Sequence, residues 1–300
     1  MPLLLPSDYP HVSRLLQQGA DVRHRSDGHV VRIAIVNIMP QAELYEFLLL
    51  NRLARSPLLV EPLFFRVANH RYGSSDGVHL SRFYRPLAGL FDADPAAVLL
   101  TGAPVEHLVE RDIHYFEEVA DLMAGCRSRA VSLLGLCWGG IAVASFLGVG
   151  SVVHQHKLSG VFRSENLMPG HRLMAGCSRQ FYCPQSRYAS LDEEAAVRSE
   201  QKGQIIRLAL IAGHGTFLIE SSDGLFTAHL GHPEYLPERL LFEYHRDRQS
   251  NPALQIHGFD PLCPIDRWSE DANSFFRSWI QQVSDRQALA VRQSPAPGNA

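Results

Sequence analysis

The chain has 300 residues, 46% of them hydrophobic and 20% charged, enough apolar material to bury a large core in one large domain or two small ones. A formal net charge of -3 and a pI near 6.6 argue against the basic footprint of a nucleic-acid or anionic-membrane binder. The five cysteines, Cys126, Cys137, Cys177, Cys183 and Cys263, are odd in number and lack CxxC or zinc-ribbon spacing, so the expectation is no disulfide framework, no structural metal and a reducing cytoplasm.

The opening run Met1 to Pro6 has no basic n-region, and no stretch elsewhere reaches the length of a membrane span, so neither secretion nor insertion is expected. Val30 to Ile38 is a β-branched apolar run closed by Met39-Pro40, the pattern of a strand buried on both faces. Helical periodicity over Glu43 to Leu53 and a second strand over Leu58 to Val67 complete a βαβ unit. A polar segment, Ala68 to Gly77, precedes an amphipathic stretch from His79 to Leu90 and a third strand over Ala96 to Leu100. The loop Thr101-Gly102-Ala103-Pro104 follows. Asp112 to Cys126 reads as a helix with acidic early turns, and Ala130 to Leu136 as the strand leading to Cys137. Beyond residue 150 the strands read as short and mixed, over Val152 to Val161, Arg172 to Cys183 and Ile205 to Ile211. Thr216 to Glu220 and Leu225 to Leu230 then form a hairpin around Ser221-Ser222-Asp223-Gly224. Pro237 to His245 and Asn273 to Val283 read as helices. The expected fold is an α/β, doubly wound, mostly parallel sheet with antiparallel additions in the C-terminal half, in one domain over 1–283 with a disordered tail over 284–300. Ligands bind such sheets beyond the carboxyl ends of the strands.

Cys137 lies at such an end, where Val131-Ser132-Leu133-Leu134-Gly135-Leu136 gives way to Cys137-Trp138-Gly139-Gly140 and then an apolar helix. A strand-turn-helix thiol sits at a helix N-terminus, which favours the thiolate and can hold an oxyanion. The competing reading is a buried small hydrophobe beside glycines that permit close packing. A nucleophilic thiol needs a base, and Gly231-His232-Pro233-Glu234-Tyr235 offers one. A single turn can set the Glu234 carboxylate against the His232 imidazole, completing a Cys-His-Glu relay, whereas the bland reading is a turn histidine with a solvated glutamate. His154-Gln155-His156 and His214 have no clear third ligand nearby in the sequence, and no metal is assigned. Gly139-Gly140 lacks the spacing of a dinucleotide fingerprint, and no Walker A sequence occurs.

Seven motifs then occur in order. They are Asn37-Ile38-Met39-Pro40, Thr101-Gly102-Ala103-Pro104-Val105-Glu106, Leu136-Cys137-Trp138-Gly139, Lys157-Leu158-Ser159-Gly160-Val161-Phe162, Ser186-Arg187-Tyr188, Gly231-His232-Pro233-Glu234-Tyr235 and Glu243-Tyr244-His245-Arg246-Asp247. Together they resemble the homoserine O-acyltransferase (homoserine transsuccinylase) family over about residues 1 to 283. The resemblance implies a class I glutamine amidotransferase-like fold and acyl transfer from acyl-CoA to the hydroxyl of a small amino acid. On that pattern Cys137 attacks the thioester, His232 is general base and acid, Glu234 orients His232, and the backbone N–H groups of Trp138 and Gly102 hold the oxyanion. Lys157, Ser186 and Arg246 fall on substrate-binding positions, and Arg246 suits a carboxylate. Glu106 stands where the family's residue tracks the acyl donor. A glutamate there repels a succinyl carboxylate and points to acetyl-CoA. No permanently bound cofactor is implied, and a homodimer is the family-level expectation.

Several positions depart from the family pattern, which usually continues Met-Pro with Thr-Lys-Ile-Glu. Here Gln41-Ala42-Glu43-Leu44 places Ala42 at the lysine position, Gln185 replaces a histidine and Ile141 a glutamine. The leading expectation is acetyl transfer to L-homoserine through an acyl-cysteine, in methionine biosynthesis. Succinyl-CoA as donor and L-serine as acceptor are the alternatives within the class. An amidotransferase-like hydrolase and a non-catalytic binding protein are the alternatives outside it.

Overall fold

The computed structural model describes residues 2–26, 28–105 and 112–293. The first half contains β1 (Pro2–Leu4), α1 (Val12–Gln17), β2 (Asp21–Arg23), β3 (Val31–Val36), α2 (Ala42–Leu53), β4 (Val60–Arg66), α3 (Gly77–Phe83), β5 (Tyr84–Pro86), β6 (Ala97–Leu100), α4 (Phe116–Ser128), β7 (Ser132–Leu136) and α5 (Trp138–Phe146). Then follow β8 (Ser151–Asn166), β9 (Gln180–Leu191), α6 (Glu193–Gln201), β10 (Ile205–Ile211), β11 (Gly215–Ser221), β12 (Phe226–His229), α7 (Pro237–Ser250) and α8 (Ser269–Gln293).

Among the described residues the strands form one sheet in the order β2-β1-β4-β3-β6-β7-β12-β11-β10-β8-β9, with β5 added on β4. Every pair from β2 across to β12 is parallel, and every pair from β12 to β9 is antiparallel. The expected α/β sheet with antiparallel additions is the one observed. β6 and β7 are buried at every residue, so both faces of the parallel centre are covered, as the continuous apolar runs require. Helix α8 packs on α2, β3 and β9, while α5 packs on α4, β7 and β12. Parallel strands end on a common edge, so Met39-Pro40, the loop from Thr101, Cys137 and the segment after His229 all emerge together.

Four local expectations are corrected. The stretch from His79 to Leu90 is not one helix: α3 ends at Phe83, β5 pairs with β4, and 3-10 turns follow at Leu87–Gly89 and Phe91–Ala93. Pro86 has no N–H to give a helix and biases Arg85 toward extended dihedrals. Helix α4 begins at Phe116 rather than Asp112. β8 runs for 16 residues, past the expected end at Val161, and β9 covers Gln180–Leu191, displaced along the chain from the expected Arg172 to Cys183. Gly160, whose added Cβ would lie 2.1 Å from the His257 carbonyl, and a register shift between Val153 and Leu158 break the alternation that would announce them. His154 and His156 lie in β8, within the strand expected over Val152 to Val161. Finally, α8 passes Val283 and ends at Gln293, so the first part of the expected tail is helix. Gln282 and Ser284 are still buried there, and Arg286 donates to the Asp223 carbonyl at 2.9 Å. The rest of that tail, 294–300, lies outside the described residues.

Candidate active site

β7 delivers Cys137 into a sharp turn, with φ 52° and ψ −115°, dihedrals that most side chains avoid. The Cys137 N–H donates to the His229 carbonyl at 2.8 Å, and α5 starts at the next residue. Glycines make this approach sterically feasible. A Cβ at Gly139 would sit 2.5 Å from the Leu100 carbonyl oxygen, and one at Gly140 2.7 Å from that of His229. Helix α5 therefore wedges its first turn between the ends of β6 and β12. Trp138, at the first position of α5, has a backbone N–H that a helix leaves without an intrahelical acceptor. Gly102 lies directly against the thiol, since a Cβ there would be 3.1 Å from Cys137 Cβ and 3.6 Å from Sγ. Both expected oxyanion positions thus flank Cys137. The Cys137 Sγ also lies 4.0 Å from the Ser186 carbonyl oxygen.

His232 and Glu234 come from the loop after β12. The His232 N–H donates to the Pro184 carbonyl at 2.8 Å, and the Tyr235 carbonyl accepts from Arg52 Nη2 and Trp268 Nε1, each at 2.8 Å. Held in this way, His232 Nδ1 donates to Glu234 Oε1 at 2.6 Å. That bond leaves Nε2 for the side-chain hydrogen bond with Cys137. The Tyr235 ring stacks on the imidazole at 4.0 Å between centroids. Burial opposes a charge on His232, but the neighbouring Cys137 and Glu234 outweigh it and raise the imidazole well above its ordinary range. The three groups form a thiol-imidazole-carboxylate line suited to proton transfer between Cys137 and His232.

This line faces an open cleft of about 370 Å³, which Lys157, Ser186 and Arg246 also line together with Tyr235 and Glu243, under a rim of Met39-Pro40 and Ala103-Pro104. The residues expected from the sequence therefore converge, except that Glu106 lies outside the described residues and Glu234 sits behind His232. Lys157 Nζ is 2.5 Å from Asp247 Oδ2, and Arg246 Nε donates to Asp247 Oδ1 at 2.8 Å. Both cleft cations are therefore tied to one carboxylate. Ala42, at the position of the expected lysine, is fully buried in the first turn of α2.

Sequence reasoning missed four residues here. Glu243 is buried and accepts from Ser186 Oγ and Tyr235 Oη, each at 2.6 Å, and from Arg239 Nη2 at 3.1 Å. Burial would raise its carboxyl, but Arg239, His232 and Lys157 hold it at about 2. Asp247 is the anchor just described. Glu243 lies one turn before Arg246 on a single helix, a spacing that could have flagged it, whereas Asp247 adjoins Arg246 and lies one turn beyond Glu243. Arg187 is wholly buried with no acidic partner among its hydrogen bonds, which go to Gln185, Ala189 and Ser190. Burial lowers its guanidinium to about 10, against the pull of Cys137 and Cys183. Tyr45, from α2, donates its hydroxyl to Glu234 Oε1. The other singled-out histidines are structural: His154 meets Ser190 Oγ at 2.7 Å, and His214 packs edge-on to Phe162.

Solved structures of similar fold include a glutamine amidotransferase from Thermotoga maritima, with TM-score 0.58, 14% identity, and 85% of this chain and 99% of that chain covered. A glutamine amidotransferase from Methylobacillus flagellatus gives TM-score 0.51 and 13% identity, over 90% of this chain and 98% of that one. These place the chain on the class I glutamine amidotransferase-like fold. In sequence it is 28% identical over 298 residues to a homoserine O-acetyltransferase from Ruegeria pomeroyi, with 94% of each chain covered. It is also 28% identical over 292 residues to a homoserine O-acetyltransferase from Methanomethylophilus alvi, covering 93% of this chain and 94% of that one. Residues 2–289 match the family described as homoserine O-succinyltransferase, and with a match of that extent the chain belongs to that family.

Proposed function

We propose that the protein transfers an acetyl group from acetyl-CoA to the hydroxyl of L-homoserine through an acyl-Cys137 intermediate. The observation that carries this reading is the alignment of Cys137, His232 and Glu234 at the floor of a cleft lined by Lys157, Ser186 and Arg246. The Cys137 thiolate attacks the thioester carbon. A carbon–sulfur bond forms to Cys137 as the bond to CoA breaks, and the His232 proton goes to the departing CoA sulfur. In the second half-reaction His232 Nε2 takes the acceptor hydroxyl proton while its oxygen bonds the acyl carbon, and the Cys137 thiolate leaves. The N–H groups of Trp138 and Gly102 face the developing oxyanion in both steps.

For the acceptor, the Arg246 guanidinium suits the α-carboxylate and Glu243, negatively charged down to about pH 2, suits the ammonium. For the donor, a succinyl group needs a cation for its second carboxylate. Arg246 is assigned to the acceptor, Lys157 is paired with Asp247, and Glu106 adds negative charge on the family pattern, so acetyl is favoured.

The test is purified enzyme with acetyl-CoA or succinyl-CoA against homoserine or serine, following free CoA, with mass spectrometry of quenched protein. The expected result is CoA release with acetyl-CoA and homoserine, an acetyl adduct on Cys137, and loss of activity by at least about 10³-fold in Cys137→Ala. Transfer from succinyl-CoA alone overturns the donor, acylation of serine alone overturns the acceptor, and CoA release without any acceptor points to a hydrolase.

A further inference from the structure

The carboxylate that orients His232 has a second hydrogen-bond donor, from an element outside the motif that carries the pair. Tyr45 projects from α2 and is completely buried. Its hydroxyl donates to Glu234 Oε1, the same oxygen that receives His232 Nδ1–H. Glu234 Oε2 is buried without a hydrogen-bond partner among the described residues. The two donors on Oε1 therefore set the orientation of the carboxylate. Two turns along α2, Arg52 binds the Tyr235 carbonyl, so one helix braces both the side chain and the backbone of the loop. The Tyr45 ring also meets the Tyr235 ring edge-on at 6.5 Å, 81° from parallel. Burial, followed by the nearby Glu234 charge, raises the Tyr45 phenol well above its ordinary range, so it remains a donor throughout.

We propose that Tyr45 is a positioning residue for proton transfer: its hydroxyl fixes Glu234 against His232 and draws charge from Oε1, limiting how strongly the carboxylate retains the imidazolium proton. This refines the acyl-transfer reading above and rests on it for its kinetic part. A proton accepted by His232 from the acceptor hydroxyl must leave again, to the CoA sulfur, in the next acylation. A carboxylate with a single donor holds that proton more tightly than one whose charge is shared between two.

Other charged or titratable groups face this pair. His232 is approached by Cys137 at the start of α5, by the stacked Tyr235, by Glu243 of α7 and by His229 of β12, whose buried imidazole is lowered to about 4. Glu234 is approached by Arg52 of α2, Cys183 of β9 and His229. Tyr45→Phe changes none of these groups and keeps the ring in place, so it isolates the hydroxyl.

The experiment titrates His232 by NMR in ¹⁵N-histidine-labelled wild type and Tyr45→Phe, with no substrate present, and measures acyl-transfer kinetics against pH in both. In Tyr45→Phe the His232 midpoint is expected to rise by about half a unit to one unit. The acid limb of kcat/KM for the acceptor should move up with it, and kcat should fall about tenfold with both KM values within about twofold. Site-specific 3-fluorotyrosine at position 45, a stronger donor, should move the midpoint down and keeps the proposal testable should Tyr45→Phe fold poorly. A midpoint that is unmoved, or that shifts the opposite way in either variant, overturns the proposal, as does an unchanged kcat in Tyr45→Phe. Failure of the wild type to acylate homoserine defeats the function proposed above. The substrate-free titration still decides the role of Tyr45.

Discussion

Glu243 illustrates how a single residue gains a role from its surroundings. Its carboxylate closes one side of the cleft with Ser186 and Tyr235 as donors and Arg239 behind it. It is held at about 2 in the fold, against 4.5 for an ordinary glutamate, so ionisation favours the folded state. That contribution is fully present above about pH 4.5 and is lost as pH falls toward 2. Its size is on the order of 3 kcal/mol. Denaturant unfolding of Glu243→Gln and wild type should therefore differ most near pH 6, with the gap closing as pH falls toward about 2. A gap independent of pH would contradict this electrostatic account. Glu243 lies within a motif legible in the sequence, yet only Arg246 stands out there, because a carboxylate on a helix reads as solvated until a second strand is known to bury it. Cys137 is legible by contrast: the switch from an apolar run to Cys-Trp-Gly-Gly is a local pattern, and its positive φ is what such a turn demands.

At the scale of elements, the wedge of α5 between β6 and β12 positions the thiol. Gly139→Ala places a methyl carbon about 2.5 Å from the Leu100 oxygen and 2.7 Å from that of Thr101, contacts that backbone cannot relieve without moving the helix. The expected cost is about 2 kcal/mol or more of stability, with a disproportionate loss of turnover because Cys137 shifts relative to His232. Thermal unfolding together with the rate of Cys137 alkylation measures both, and wild-type values for the two would show that the packing is slack. Periodicity reveals β3, β6, β7 and α2, since strands buried on both faces and a long helix carry strong local signals. It misreads His79 to Leu90, where Tyr84 leaves the helix to pack on Phe64 and donate to Glu46. It also ends β8 too soon and places β9 too early in the chain, because β9 buries Gln185, Ser186 and Arg187, polar side chains that do not read as a buried strand.

For the whole molecule, α8 closes the fold by packing on α2 and on both β3 and β9. Its second half binds the hairpin of β11 and β12, through Gln282 to Glu220 at 2.7 Å and Arg286 to the Asp223 carbonyl at 2.9 Å. A chain ending at Val283 loses the Arg286 contact and should unfold about 1–2 kcal/mol more easily, measured by urea denaturation; equal stability would show the last turns to be dispensable. The turn at Asp223 leads into β12 and thence to His232, so the same truncation tests whether that distant support reaches the site. The amino-acid order by itself determined the alternation of strands and helices, the thiol on its turn and the adjacent His232-Glu234 pair, because each depends on residues near one another in the chain. Tertiary structure alone decided that Tyr45 shares Glu234 with His232, that Asp247 binds both cleft cations, and that Glu243 is buried beneath Ser186. Those contacts span 189, 90 and 57 residues, and sheet order and register, not local propensity, bring such partners together.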